Sequence, residues 1–97
     1  MGFIVQQPNG RYCRFSTVID CPVALNMTKE DYIDYLMETN NLVRPDAVQE
    51  ANEILTHYVR PFSWLDSYFV DSNMTIDEYK RYKRIMSEEP TEGPIYT

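Results

Sequence analysis

Two short segments with alternating apolar and polar residues flank a Pro-Asn-Gly sequence near the start of the chain. The proline fixes its φ at about −65°, which suits a tight turn, and the glycine accepts the left-handed conformation that leads into a bulge. A three-residue loop then pairs Phe3 with Phe15 and Val5 with Cys13, so four apolar side chains share one face. Because two strands alone are only marginally stable in water, we expect this β-hairpin to pack on helices.

Two later segments share a pattern that starts helices. They read Asn-Met-Thr-Lys-Glu-Asp-Tyr from Asn26 and Asn-Met-Thr-Ile-Asp-Glu-Tyr from Asn73. In each, the threonine and the acidic residue three positions later match a capping box, in which the two residues satisfy each other's backbone N–H groups. The methionine before the threonine and the tyrosine after the box occupy the positions of a hydrophobic staple.

The caps and the spacing of apolar residues together predict three or four short helices. The expected helices cover about 29–39, 45–58, 62–69 and 76–86. Residues 23–27 are expected to form a linker, residues 1–87 a single compact domain, and residues 88–97 a flexible acidic tail. The predicted fold class is α+β, with an N-terminal two-stranded β-hairpin packed on the helices.

Length and composition exclude several classes of protein. The chain has 97 residues, enough for one domain, and no apolar run approaches the roughly 20 residues of a membrane span. The first residues show no basic start and no long apolar stretch, so we expect a cytoplasmic protein with reduced cysteines. Nine basic residues against fifteen acidic ones give a net charge of −6, which does not favour direct nucleic-acid binding.

No sequence motif points to catalysis. The chain has one histidine, His57, and lacks the Gly-x-Ser-x-Gly, His-Glu-x-x-His and glycine-rich phosphate motifs. A Cys–His pair needs a third group that orients the imidazole, and no motif marks one. We therefore expect a protein that is not an enzyme.

The sequence offers a more specific hypothesis for a structural zinc site than for an enzyme active site. Cys13, Cys21 and His57 supply two thiolates and an imidazole, and Asp20 supplies a carboxylate as a fourth ligand. The seven residues between the cysteines exceed the spacing of a tight zinc knuckle. In the alternative interpretation, Cys13 is a small buried apolar residue and His57 a partly exposed helix residue.

The charges are distributed unevenly. Between Phe15 and Glu78 there are twelve acidic and three basic residues, whereas residues 79–86 contain four basic residues and no acidic one. The basic residues are Lys80, Arg81, Lys83 and Arg84. Tyrosines alternate with them, as in a nucleic-acid-binding helix. In the alternative interpretation, Tyr79 and Tyr82 face the core and the basic residues are placed favourably for the helix dipole.

Acidic residues on the first predicted helix form the other candidate site. Glu30, Asp31, Asp34 and Glu38 recur at spacings that bring most of them to one side of that helix. Such a surface fits a protein with a basic groove, because lysine and arginine attract carboxylates and phosphates alike at long range. An acidic solvated helix face is also ordinary in soluble proteins.

The first third of the chain resembles small proteins encoded in prophages and mobile elements of Gram-positive bacteria. The resemblance lies in residues 1–17, in Asp20-Cys21-Pro22 and in Asn26-Met27-Thr28. Some small acidic proteins of that setting are anti-CRISPR inhibitors, which bind a type II effector nuclease without catalysis, and at least one holds a structural zinc ion. The resemblance thus implies an inhibitor of a nucleic-acid-handling host protein, acting in the bacterial cytoplasm. A nucleic-acid-associated regulator that binds through the basic last helix is the alternative.

Overall fold

A computed structural model of the protein describes residues 2–19, 21–68, 74–91 and 93–96, apart from the side chains at 66–68. The fold is α+β, as the sequence predicts, with N-terminal strands followed by helices. The described elements, in chain order, are β1 (Gly2–Gln6), β2 (Tyr12–Ser16), β3 (Cys21–Met27), α1 (Lys29–Thr39), α2 (Arg44–His57), β4 (Val59–Arg60), α3 (Ser63–Tyr68), α4 (Ile76–Ser87) and β5 (Ile95–Tyr96).

The predicted hairpin is present with the predicted register. Phe3 lies opposite Phe15, and Val5 lies opposite Cys13. The loop closes with a hydrogen bond from the Gly10 N–H to the Gln7 carbonyl at 2.9 Å. Gly10 has a φ of 87°, the left-handed conformation expected of a glycine that follows a type I turn into a bulge.

The hairpin is part of a larger sheet. Five strands form a mixed sheet in the order β4-β1-β2-β3-β5, in which β1 and β4 are parallel and the other neighbours are antiparallel. The prediction of a linker at residues 23–27 is therefore wrong, because these residues belong to β3. Bulges in the β2–β3 pairing break the alternation of side chains by which a strand is recognised in a sequence.

Helices cover both faces of the sheet. On one side Ile4, Ala24 and Met27 pack with residues of α1 and α2. On the other side Val5, Cys13, Phe15 and Leu25 pack with residues of α3 and α4. Neighbouring strand residues such as Ile4 and Val5 thus belong to two separate cores, as expected when consecutive side chains point to opposite faces of a strand.

The helix boundaries follow the capping residues. The Asp31 N–H donates to the Thr28 Oγ1 at 3.1 Å, and the Glu78 N–H donates to the Thr75 Oγ1 at 3.1 Å, so both predicted capping boxes are confirmed. Helix α2 begins at Arg44, so Pro45 is its second residue, whereas the sequence predicts this proline as the first.

Candidate functional site

Helix α1 carries the four acidic residues predicted to bind a partner, and the structure gives them different environments. Asp31 is half-buried, because its Oδ2 accepts hydrogen bonds from the N–H and the hydroxyl of Thr28, each at 2.9 Å. Glu30, Asp34 and Glu38 are exposed. Asp31 therefore has a structural task at the start of the helix, while its charge still contributes to the surface.

Arg44, at the start of α2, partly neutralises this acidic surface. Its guanidinium contacts Glu30 at 2.6 Å and Asp34 at 3.5 Å. The side chains of Arg44 and Glu30 are 51% and 69% exposed, so the pair contributes little to stability. Reasoning from the sequence missed this contact, because it depends on how α1 and α2 pack.

Tyr96, in β5, lies close to three acidic residues of α1, namely Asp31, Asp34 and Glu38. The pKa of its hydroxyl is raised, first by partial burial and then by the negative charges of Asp31, Glu38 and Asp34. The residue is nevertheless 57% exposed. An aromatic side chain therefore stands at the surface among three acidic residues.

The aromatic ring of Tyr35 is the stacking partner of the Tyr96 ring. Their rings stack with centroids 6.4 Å apart and an interplanar angle of 6°. Tyr35 also stacks on the buried Tyr32, with centroids again 6.4 Å apart. We refer to Asp31, Asp34, Glu38, Tyr35 and Tyr96 as the acidic–aromatic surface.

The basic residues of α4 lie on the opposite layer of the molecule. Lys80, Arg81 and Arg84 are exposed, and Lys83 is half-buried. Tyr79 and Tyr82 are buried, which confirms the interpretation that these tyrosines face the core. Because α4 packs on the sheet face that α1 does not cover, the molecule carries acidic and basic groups on opposite layers.

The residues predicted to bind zinc are distributed over different parts of the fold. Cys13 lies in the core between the sheet and α3–α4, Cys21 is half-buried at the start of β3, and His57 is exposed at the end of α2. Among the described residues, no three or more His, Cys, Asp or Glu side chains form a group suited to a metal ion. Asp20 lies outside the described residues.

The environment of Cys13 opposes its use as a thiolate ligand. Burial raises the pKa of its thiol to about 12, with a smaller opposing effect from the charge of Arg14. Zinc binds the thiolate form of cysteine, which burial disfavours at Cys13, and the described residues show no group of ligands that could hold the ion. The zinc ion stays a prediction, and no step of the proposed function depends on it.

Comparisons with protein families, with characterised proteins and with solved structures found no match for this chain. Within the described residues, no helix combines the length and the apolar character needed to cross a bilayer.

Proposed function

We propose that the protein is a non-catalytic binding protein, which docks on a basic surface of a larger protein through its acidic–aromatic surface. The observation that supports this proposal is the exposed Tyr96 ring, stacked on Tyr35 and surrounded by carboxylates. In protein interfaces, aromatic residues at the centre provide much of the affinity, while charged residues around them steer the encounter.

The partner that we propose is a nucleic-acid-handling protein of the bacterial host, most specifically a type II CRISPR effector nuclease. This step rests on the resemblance of the first third of the chain to small prophage proteins. Such nucleases hold nucleic acid in positively charged channels, so carboxylates at the mouth of a channel compete with phosphates for the same cations. In this proposal the protein inhibits by occupying the channel, in the bacterial cytoplasm.

The test is a binding measurement by biolayer interferometry with purified type II effector nuclease, with and without guide RNA. We expect Asp34→Lys/Glu38→Lys to slow association and to reduce its dependence on salt, because steering depends on these charges. We expect Tyr96→Ala to accelerate dissociation about tenfold or more, as for a central aromatic residue. Glu53→Lys/Glu89→Lys reverses the same number of charges at exposed positions outside the acidic–aromatic surface, so it is the matched control and should bind like the wild-type protein.

Two results would contradict this proposal. One is that neither Asp34→Lys/Glu38→Lys nor Tyr96→Ala changes binding to the nuclease. The other is the absence of measurable binding to the nuclease in either state, which would remove the proposed partner.

The exposed basic residues of α4 support a second candidate function, that of a nucleic-acid-associated regulator. Lys80, Arg81 and Arg84 reach solvent on a layer separate from the acidic residues of α1. This alternative predicts retention on immobilised DNA at low salt, because Lys and Arg contacts to phosphates release counterions. Replacing Lys80, Arg81, Lys83 and Arg84 by alanine would then abolish retention, while Asp34→Lys/Glu38→Lys would not weaken it.

A further inference from the structure

A cavity of about 660 Å³ lies between helices α1 and α2 and the face of the sheet that these helices cover. Its volume falls within the range of about 300–1,000 Å³ that is usual for small-molecule sites. The proposed docking function uses one residue of its lining, Tyr35. The other lining residues have no part in that function.

The register of the strands decides which charged side chains face this cavity. Ile4 lies opposite Arg14 in β2 and opposite Val59 in β4, so these three side chains share the sheet face that α1 and α2 cover. Arg60, the next residue of β4, points to the other face, where its guanidinium carbon lies 4.5 Å from the centroid of the Phe3 ring. Arg14 is therefore the guanidinium that the cavity offers to a ligand.

Arg14 is held in place while most of its donors stay unused. Its Nη1 donates to the Phe15 carbonyl at 3.0 Å. The guanidinium lies over Gly2, where a Cβ would overlap the Nη1 atom. Arg14 makes no other hydrogen bond and no ion pair with the residues that the structure describes. A guanidinium carries five N–H donors, so several remain for a carboxylate.

Glu50 brings the opposite charge to the same cavity. It is half-buried on α2, and it is the only acidic residue of the lining in the described part of the chain. Within that part it neither accepts a hydrogen bond nor forms an ion pair, with Arg14 or with any other residue. Partly buried charges are stable when they are paired, so two opposite charges that line one space without meeting favour a ligand that carries both.

Tyr32 adds a hydroxyl to these two charges. The residue is 2% exposed, yet its hydroxyl has no hydrogen-bond partner among the described residues. In those residues no fully enclosed side-chain nitrogen or oxygen lacks a partner, so the Tyr32 hydroxyl must reach the open space of the cavity. Burial raises the pKa of this hydroxyl to about 12, and the charges of Arg14 and Glu50 shift it in opposite directions, so both lie within electrostatic reach of it. The hydroxyl therefore keeps its proton at neutral pH and can donate it to a ligand.

Apolar side chains complete the lining. Ile4, Leu36 and Ile54 contribute from β1, α1 and α2, and the Tyr35 ring lies next to that of Tyr32 at an interplanar angle of 21°. Small-molecule sites combine such an apolar lining with a few polar groups that fix the orientation of the ligand.

We propose that this cavity binds a small zwitterion with an apolar side chain, whose ammonium group pairs with Glu50 and whose carboxylate pairs with Arg14 and Tyr32. The class of ligand follows from two opposite charges that line one apolar cavity without neutralising each other. A free α-amino acid and a dipeptide share this chemistry, and they differ in the distance between their two charges. The proposal does not depend on the docking function of the acidic–aromatic surface.

The first test is an NMR titration of the full chain with L-phenylalanine and with glycyl-L-phenylalanine. We expect saturable shifts of backbone amides in β1, in α1 and in the second half of α2 with at least one of them. The responding compound shows whether the recognised charges lie on one carbon atom or further apart. Its N-acetyl form lacks the ammonium group and its amide form lacks the carboxylate, so each should bind about tenfold more weakly or worse, since hydrogen bonds to a charged group are lost.

The second test uses variants of the same protein. Glu50→Gln should weaken binding of the responding compound about tenfold but leave binding of its N-acetyl form unchanged, because that form has no ammonium group. Arg14→Gln should likewise weaken binding of the responding compound and spare the amide form. A purely structural role of either residue would weaken all forms alike. Glu53→Gln removes a carboxylate from an exposed position of α2 outside the cavity and should bind like the wild-type protein.

Glu50→Gln keeps the test decisive even if Arg14→Gln impairs folding, because Glu50 has no partner to lose among the described residues. The proposal is overturned if neither compound gives saturable shifts, if the N-acetyl and amide forms bind as tightly as the zwitterion, or if Glu50→Gln leaves affinity unchanged.

Discussion

Gln7 and Asn26 are joined by two hydrogen bonds in the interior, although nineteen positions separate them in the chain. The Gln7 Nε2 donates to the Asn26 Oδ1 at 2.6 Å, and the Asn26 N–H donates to the Gln7 Oε1 at 2.8 Å. Both residues are almost fully buried, at 2% and 5% exposure. Asn9 adds a third contact, from its Nδ2 to the same Asn26 oxygen at 3.0 Å. This polar cluster fixes the hairpin loop to the end of β3, directly before α1 begins.

Asn26→Ala should destabilise the protein by about 2–4 kcal/mol, because the Gln7 Nε2 and the Asn9 Nδ2 both lose the Asn26 Oδ1 as acceptor. Asn26 also has a φ of 60°, a conformation that asparagine tolerates better than alanine. Asn26→Gly removes the same side-chain contacts but accepts this φ, so it should cost less than Asn26→Ala. Urea unfolding gives both values, and Asn52→Ala, at an exposed position of α2, serves as control. A loss below about 0.5 kcal/mol for Asn26→Ala, the range of ordinary surface substitutions, would contradict the role of this cluster.

The features predicted correctly from the sequence are those that depend on residues close together in the chain. The Pro8-Asn9-Gly10 loop sets the register of the hairpin within a few residues. The capping boxes at Thr28 and Thr75 likewise depend on a residue three positions away. Local chemistry decides such features, so a single sequence is sufficient to find them.

Features that depend on residues far apart in the chain were missed, because no local pattern in the sequence marks them. β3 contains a proline and bulges, and most of its residues are buried, so it shows no clear alternation. β4 and β5 have only two residues each and exist because a neighbouring strand pairs with them. Arg44 meets Glu30 only after helices α1 and α2 have packed together.

The stability of the protein should fall at alkaline pH because of Cys13. Burial raises the pKa of this thiol from 9.0 to about 12 in the folded protein. Below pH 9 the thiol is protonated in both states, so it contributes no pH dependence. Between pH 9 and 12 the unfolded chain loses this proton and the folded protein keeps it, so the free energy of unfolding decreases by at most about 1.4 kcal/mol per pH unit from this group.

The measurement is urea unfolding at several pH values between 8 and 11 for the wild-type protein and for Cys13→Ala. The variant is expected to be less stable at pH 8 because it leaves a cavity, but its stability should decline less steeply above pH 9. Tyr32→Phe provides a second comparison, since burial also raises the pKa of the Tyr32 hydroxyl, from 10.0 to about 12. If the free energy of unfolding falls equally steeply with pH in the wild-type protein and in Cys13→Ala, then burial does not raise the pKa of the Cys13 thiol.

Arg44→Ala should change binding more than stability. The exposed ion pairs with Glu30 and Asp34 are worth at most about 1 kcal/mol, so the free energy of unfolding should change little. Removing Arg44 also makes the surface of α1 more negative. If the acidic–aromatic surface steers a basic partner, the variant should associate faster with the nuclease at low salt, and the gain should disappear at high salt.

The control for this experiment is Arg44→Lys, which keeps the positive charge and should associate like the wild-type protein. Slower association of Arg44→Ala would mean that Arg44 itself contacts the partner, and the steering explanation would then be wrong.

A variant truncated after Pro94 tests whether the last residues contribute to stability. The composition of residues 88–97 predicts a flexible acidic tail that contributes little. In the structure, Ile95 lies opposite Leu25 and Tyr96 lies opposite Ala24, so β5 covers the edge of β3. Ile95 also packs against the core between the sheet and α3–α4. Its removal should therefore destabilise the protein by about 1–3 kcal/mol, and it uncovers the backbone groups of an edge strand. Tyr96→Ala, which keeps the strand pairing, should cost less. Thermal and urea unfolding of the two variants separate these contributions, and a truncated chain as stable as the full one would mean that β5 does not hold this edge.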